Sequence, residues 1–309
     1  MTTERPVINY PLQFAFLVGL MGVSILLSAL LIPLIGSMVL HVPFLQVLTM
    51  INQPEHANLA RWMNTLASFL SFFLPSLALA RILSRHPFEK LGFTRRIQLR
   101  EIGVILGITV ASILLSGSLG ALNEKIPLPA GWLAKARQLE DTYKTSVMAM
   151  AHMQSLSDYL LALLVMAAAP ALFEEVLFRG GFQQVLVGWT RHKWAGLLLT
   201  SILFSAIHFS YFGFLPRMAL GIVLGLIFLE TGKLWLSILL HFMNNALVVT
   251  QLYFAGLQGK PIDKTMDESA PIWWGLIALV LLGYLFRVLR QWENEQRRRN
   301  HEIPEHSGD

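Results

Sequence analysis

The sequence predicts an all-α, polytopic membrane protein built as a bundle of about eight transmembrane helices. Three observations predict it. Of 309 residues, 54% are hydrophobic and only 14% are charged, against about 25% charged in soluble domains. Mean hydropathy is +0.55. Apolar runs of about 20 residues, the length that crosses a bilayer core, recur along the chain. Helices follow from the runs, because open sheet edges are not tolerated in hydrocarbon.

Taken in order, the first run covers about 13–40. It is far longer than the 7–15 apolar residues of a signal peptide and reads as a retained first span. Runs at about 62–83 and 101–123 supply the second and third. Residues 124–158 are too polar to span. There Trp132, Ala136, Leu139, Tyr143, Val147 and Met150 recur at three- and four-residue steps, with Lys135, Arg137, Asp141 and Lys144 largely between them. That spacing predicts an amphipathic helix at about 130–153, outside the membrane, lying in the interface or capping the bundle. Further spans are expected at about 159–187, 194–212, 216–231, 233–256 and 272–291. The sixth, "MALGIVLGLIFLE", is the weakest, being short and glycine-bearing; its Gly221 and Gly225 predict close helix packing. No internal repeat or second domain is visible, so residues 1–309 read as one transmembrane domain. A polar tail at about 292–309 is expected to be solvated and disordered.

Net charge is +5 and the isoelectric point is near 9.6. In a membrane chain this excess marks cytoplasmic loops and not a nucleic-acid partner. With the N-terminus inside, 15 of the 24 lysines and arginines fall in cytoplasmic segments and eight outside. Both termini are then cytoplasmic. The absence of cysteine excludes disulfides, cysteine nucleophiles and thiolate metal sites.

An ionisable residue at the centre of a span costs about 2.5–3.5 kcal/mol on insertion scales, so it persists when it pairs or works. Four groups stand out. Glu174, Glu175 and Arg179 interrupt the fourth span. Glu175 and Arg179, four apart, share a face and are expected to pair. Glu174 is turned about 100° away and faces something else. His208 lies in the fifth span. In the seventh, His241 and Asn245 are four apart and project together, while Asn244 points elsewhere. Glu230 and Lys233 sit at a span end and are expected to pair at the interface. At a rise of about 1.5 Å per residue, Glu174, His208 and Asn245 come out at roughly 18–21 Å from the cytoplasmic end of their spans, and His241 at roughly 12 Å. Polar groups from three helices thus fall in one slab of the membrane.

"EEVLFR" fits E-E-x-x-x-R, "FSAIH" fits F-x-x-x-H through Phe204 and His208, and "HFMNN" fits H-x-x-x-N through His241 and Asn245. In this order on successive spans, the three motifs resemble the CAAX prenyl protease 2-like family, also called CPBP intramembrane proteases or the Abi family. The resemblance covers about residues 160–250. It implies peptide-bond hydrolysis within the membrane, on a membrane-embedded or lipidated peptide. Glu174 would be the general base. His208 would orient the water or carry its proton, and His241 and Asn245 would donate to the oxyanion. Glu175 and Arg179 would support the site. No cofactor is favoured. The alternative is Zn²⁺, whose ligands would be Glu174, His208 and His241. Against it, no H-E-x-x-H is present and the two histidines lie on separate spans.

Two other classes compete. Buried carboxylates, histidine and arginine also serve proton-coupled transporters, although no matched pair of broken helices appears in two halves. The resembled family also contains members tied to bacteriocin immunity and scaffolding. The lipid bilayer is an expected partner, and a bacterial cell membrane is the expected location.

Overall fold

The computed structural model describes residues 8–93, 97–259 and 271–302. Among them there is no strand. The helices, in chain order, are α1 (Tyr10–Leu40), α2 (Phe44–Met50), α3 (Pro54–Leu83), α4 (Pro87–Leu91), α5 (Leu99–Asn123), α6 (Ala130–Met150), α7 (Leu156–Thr190), α8 (Lys193–Ala206), α9 (Phe214–Thr231), α10 (Leu234–Leu257) and α11 (Ile272–Glu302). The protein is an all-α polytopic membrane protein. Seven helices, α1, α3, α5, α7, α9, α10 and α11, are long and apolar enough to cross a membrane.

The fifth expected span is corrected. Residues 194–212 do not form one continuous helix. α8 stops at Ala206 after 14 residues, about 21 Å of rise, short of a bilayer core of about 30 Å. The chain then turns through residues 207–213, with Phe209 in the left-handed region at φ 50°. His208 therefore sits in a turn and not on a helix. The sixth run, weakest in sequence, forms the full 18-residue helix α9.

α7 carries the first motif and is the least regular span. Its start is fixed reciprocally. The Ser155 hydroxyl accepts from Asp158 N, and the Asp158 carboxylate accepts from Ser155 N at 3.1 Å. Two stretches widen to π-helix, Leu163–Ala168 and Val176–Gln183. Pro170 explains the first. It has no N–H to give, and its ring crowds the carbonyl four residues back. The second begins immediately after Glu175, and π-turns within α-helices cluster at functional sites.

Glycines set how closely these helices approach. A Cβ on Gly225 would lie 2.3 Å from Leu197, and one on Gly221 would lie 3.2 Å from the Ser201 backbone. The G-x-x-x-G face of α9 thus packs against α8, as its spacing predicts. On the first motif, Gly180 and Gly181 abut Leu91 and Leu17.

Arg61 is buried. Its guanidinium donates to Met150 O and His152 O, each at 2.8 Å. This fastens α3 to the C-terminus of α6. The predicted amphipathic helix forms over Ala130–Met150. Ala136 is buried and Leu139, Tyr143, Val147 and Met150 are partly covered, whereas Trp132 stays exposed.

Two expectations at the opposite end change. Glu230 and Lys233 do not pair with each other. Gly232, at φ 66°, reverses the chain between them. Lys233 turns inward to Glu101 and to Glu293 at 2.8 Å, while Glu230 accepts from Arg290 Nε at 3.0 Å. These contacts hold down residues expected to be solvated tail, so α11 continues to Glu302. Residues 303–309 of that tail, and Arg5, Arg95, Arg96, Lys260 and Lys264 of the cation count, lie outside the described residues.

Candidate active site

The site is assembled by α7, the turn after α8, and α10, with α9 behind it. Glu175 and Arg179 are both fully buried. As expected they pair, Arg179 Nη1 donating to Glu175 Oε1 at 2.9 Å. The guanidinium also donates through Nη2 to Gly221 O on α9 at 2.9 Å and lies 5.0 Å above the Phe204 ring. A buried cation held by a carboxylate, a carbonyl and an aromatic face is well compensated.

Glu175 does more than neutralise Arg179. The same Oε1 lies 2.9 Å from His241 Nδ1. A carboxylate only accepts, so Nδ1 carries the proton, and the ring is fixed in one orientation. Its Nε2 then faces Glu174 Oε2 at 3.8 Å. That separation is too long for a direct hydrogen bond. A water about 2.8 Å from both atoms would see them at roughly 85°, somewhat tighter than tetrahedral. Glu174 Oε2 is itself buried and makes no hydrogen bond among the described residues.

His208 reaches the site from the turn. Its Nδ1 donates to Phe204 O at 2.8 Å, which leaves Nε2 free to accept. It lies within electrostatic reach of Glu174, His241 and Arg217. The Phe204 ring packs against both imidazoles, with centroids 5.3 Å from His208 and 5.7 Å from His241. Asn245 follows His241 by four residues, about 6 Å along α10. Asn244 Nδ2 donates to Asn245 Oδ1 at 3.3 Å, so Asn244 does not point elsewhere as expected. It occupies its neighbour's acceptor and leaves the Asn245 amide N–H groups to donate.

These contacts join Glu174, Glu175, Arg179, His208 and His241 in one cluster, with Asn245 one turn away on α10. Three participants escaped sequence reasoning: the Gly221 carbonyl, Asn244 and Arg217. For Asn244 the doubled asparagine was the signal. A backbone acceptor such as Gly221 O leaves none.

Glu174, His208 and His241 were the ligands that Zn²⁺ would need. His241 donates through Nδ1 to Glu175, which leaves Nε2 as its only possible ligand atom. Among the described residues no three His, Asp or Glu side chains converge as a ligand set for a metal ion.

Residues 156–247 match the family model described as Type II CAAX prenyl endopeptidase Rce1-like. This is the family group that the three motifs resemble, and the matched residues hold all three. The chain is also 33% identical over 102 residues to Uncharacterized protein YpbD of Bacillus subtilis (strain 168), a stretch that is 32% of this chain and 49% of YpbD. It therefore spans about half the length of the curated relative it matches. No solved structure matches it. The family match supports a membrane peptidase of the CAAX-protease type.

Proposed function

We propose that the protein is an intramembrane endopeptidase that hydrolyses an amide of a membrane-embedded or lipidated peptide with a glutamate-activated water. One observation carries this reading. Glu175 Oε1 holds both Arg179 and His241 at 2.9 Å, and so aims His241 Nε2 at Glu174 Oε2, 3.8 Å away.

The chemistry follows from those atoms. A water between Glu174 and the free Nε2 of His208 or His241 gives one proton to Glu174 as its oxygen attacks the carbonyl carbon. The carbonyl oxygen becomes an oxyanion, to which Asn245 Nδ2 donates. The proton on Glu174 passes to the departing nitrogen, directly or through His241 Nε2, and the C–N bond breaks. His241 is suited to carry it, because Glu175 stabilises the imidazolium formed on the way. The nascent carboxylic acid releases its proton to the free Nε2 of His208. Arg179 holds Glu175 in place, and Phe204 packs against both imidazole rings.

The distribution of cations supports a cell-membrane protein with both termini cytoplasmic. The relative in Bacillus subtilis supports a bacterial membrane. The decisive experiment compares, by mass spectrometry, membrane peptides released by cells carrying the wild type or Glu174→Ala. Products present only with the wild type are expected. Identical profiles across growth conditions would overturn the reading.

A further inference from the structure

The amphipathic helix α6 reaches the turn that carries His208 through Glu140. The Ser210 hydroxyl donates to Glu140 Oε2 at 2.6 Å, the length of a charge-assisted O–H···O⁻ bond. Ser210 is buried and stands two residues after His208. Its oxygen also accepts from Gly213 N at 3.1 Å. One hydroxyl thus closes the turn on itself and ties it to another helix.

Glu140 stands where an apolar residue is ordinary. Ala136, Glu140, Tyr143 and Val147 follow one another at steps of four, three and four, the inward stripe of an amphipathic helix. Ala136 is buried and the other three are partly covered. Tyr143, on the same stripe, lies against the Arg217 guanidinium of α9 at 5.0 Å. Ten residues beyond Glu140, about 15 Å along the axis, Arg61 of α3 fastens the end of α6 at Met150 O. The end of α6 is therefore held by α3, and its middle bears on the turn and on α9.

The turn needs such support. Phe209, next to His208, has a φ of 50°. A residue with a side chain keeps that left-handed conformation where its surroundings impose it. The Phe209 side chain is 71% exposed and contributes little packing of its own. Asn123 of α5 fixes the far half of the turn, at Tyr211 O and Leu215 N. The near half is fixed at Ser210, and the side chain that serves Ser210 from outside the turn is Glu140. His208 Nδ1 bonds to Phe204 O at 2.8 Å, a bond that the ring keeps only while the backbone from 208 to 210 stays in place.

We propose that Glu140 is a positioning residue of the peptidase site: through Ser210 it holds the turn so that His208 keeps its proton on Nδ1 and its Nε2 open to the reacting water. The assignment rests on the peptidase reading. It deepens that reading by making the geometry of the site depend on α6, a helix that belongs to none of the three motifs.

The imidazole reports the effect without a substrate. The full chain, made with isotope-labelled histidine, is placed in lipid nanodiscs and its ring nitrogens are read by NMR. The His208 signal is the one lost in His208→Gln. In the wild type His208 should be in the Nδ1–H form. Glu140→Leu and Ser210→Ala should each lower the ratio of Nδ1–H to Nε2–H by about tenfold or more, the scale of one charge-assisted hydrogen bond. Glu140→Gln keeps an acceptor oxygen and should restore most of the ratio. Glu140→Leu/Ser210→Ala should be no worse than Ser210→Ala alone, because the same bond is lost in both. His192, whose Nδ1 accepts from Ala195 N at 3.3 Å at the start of α8, should be unchanged throughout. An unaltered His208 ratio in Glu140→Leu would overturn the assignment. So would additive losses in the double variant, a Glu140→Gln as damaging as Glu140→Leu, or a change shared by His192, which marks general unfolding. Peptide release by the wild type and by Glu140→Leu is compared separately by mass spectrometry, with about tenfold less release expected from the variant. No release by the wild type would count against the peptidase reading, while the His208 ratio would still decide the role of Glu140.

Discussion

Removing both charges of the Glu175–Arg179 pair should separate its contribution to folding from its contribution to catalysis. Both side chains have no solvent exposure, and Nη1 to Oε1 is 2.9 Å. Removing one partner of such a pair strands the other charge and costs about 3–5 kcal/mol. Glu175→Leu leaves Arg179 with only the Gly221 carbonyl and an aromatic face. Arg179→Met leaves Glu175 with only His241. Each single variant should therefore unfold markedly earlier in detergent, read by circular dichroism at increasing temperature. Replacing both by apolar residues of similar volume is often neutral or stabilising, so Glu175→Leu/Arg179→Met should recover most of the loss. It should not recover turnover. His241 would keep its place on α10 but lose the acceptor that fixes its proton on Nδ1. Mis-set histidine tautomers cost about 10⁴-fold in the serine-protease triad; here a drop of about 10²–10⁴ in hydrolysis of a membrane peptide is expected. A folded double variant with wild-type turnover would refute the reasoning, since Glu175 would then be a structural counter-ion alone. A double variant as unstable as the singles would refute the charge-stranding part.

Further tests follow from other contacts. A Cβ on Gly196 would lie 2.6 Å from the Val187 backbone nitrogen, so Gly196→Ala should force α7 and α8 apart and destabilise by about 1–3 kcal/mol; an unchanged melting temperature would contradict that packing. Lys233→Met strands Glu101 and Glu293 together and should cost about 3–5 kcal/mol. The triple variant Lys233→Met/Glu101→Leu/Glu293→Leu should regain much of it, and equal instability of the two would argue against a buried charge cluster. Asn123 spans the turn after α8, accepting from Leu215 N at 2.9 Å and donating to Tyr211 O at 2.8 Å. Asn123→Leu should lower turnover by about tenfold or more through His208, an effect absent if the turn holds itself. Washed, purified protein should contain substoichiometric zinc and keep its activity in chelator; one firmly bound zinc per chain, with activity that follows its removal and return, would reverse the proposed mechanism.

What the sequence made legible divides along a physical line. Span positions, the Glu175–Arg179 pair and the α8–α9 approach at Gly221 and Gly225 all follow from hydrophobicity or helical spacing. The end of α8 did not, because residues 207–213 are apolar enough to continue a span while the backbone turns. Nor did the partners of Lys233. They come from residues 132 and 60 positions away in sequence, and no local rule couples such distances. The bridging of Glu175 to His241 is of the same kind. A four-residue interval identified the arginine, but the imidazole arrives from another helix.

The short helix α8 connects these observations. Bare backbone within a bilayer is tolerated only where its polar groups find partners in protein. The turn at 207–213 meets that demand almost entirely from its own neighbourhood. His208 N and Phe209 N donate to Ser205 O and Ala206 O, and Phe214 N to Tyr211 O. The Ser210 hydroxyl accepts from Gly213 N, Ser205 donates to Phe214 O, and Asn123 serves Tyr211 and Leu215. A continuous helix would need none of these side chains. What the interruption supplies is position. With α8 ending about 21 Å from its start, His208 leaves the helical path, bonds back to Phe204 O, and meets Glu174 and His241 from a third direction. Two helices can present residues only from opposing faces. The turn adds the approach that the proposed water, flanked by an acid and two imidazoles, requires, and the serines and Asn123 are the side chains that satisfy its backbone.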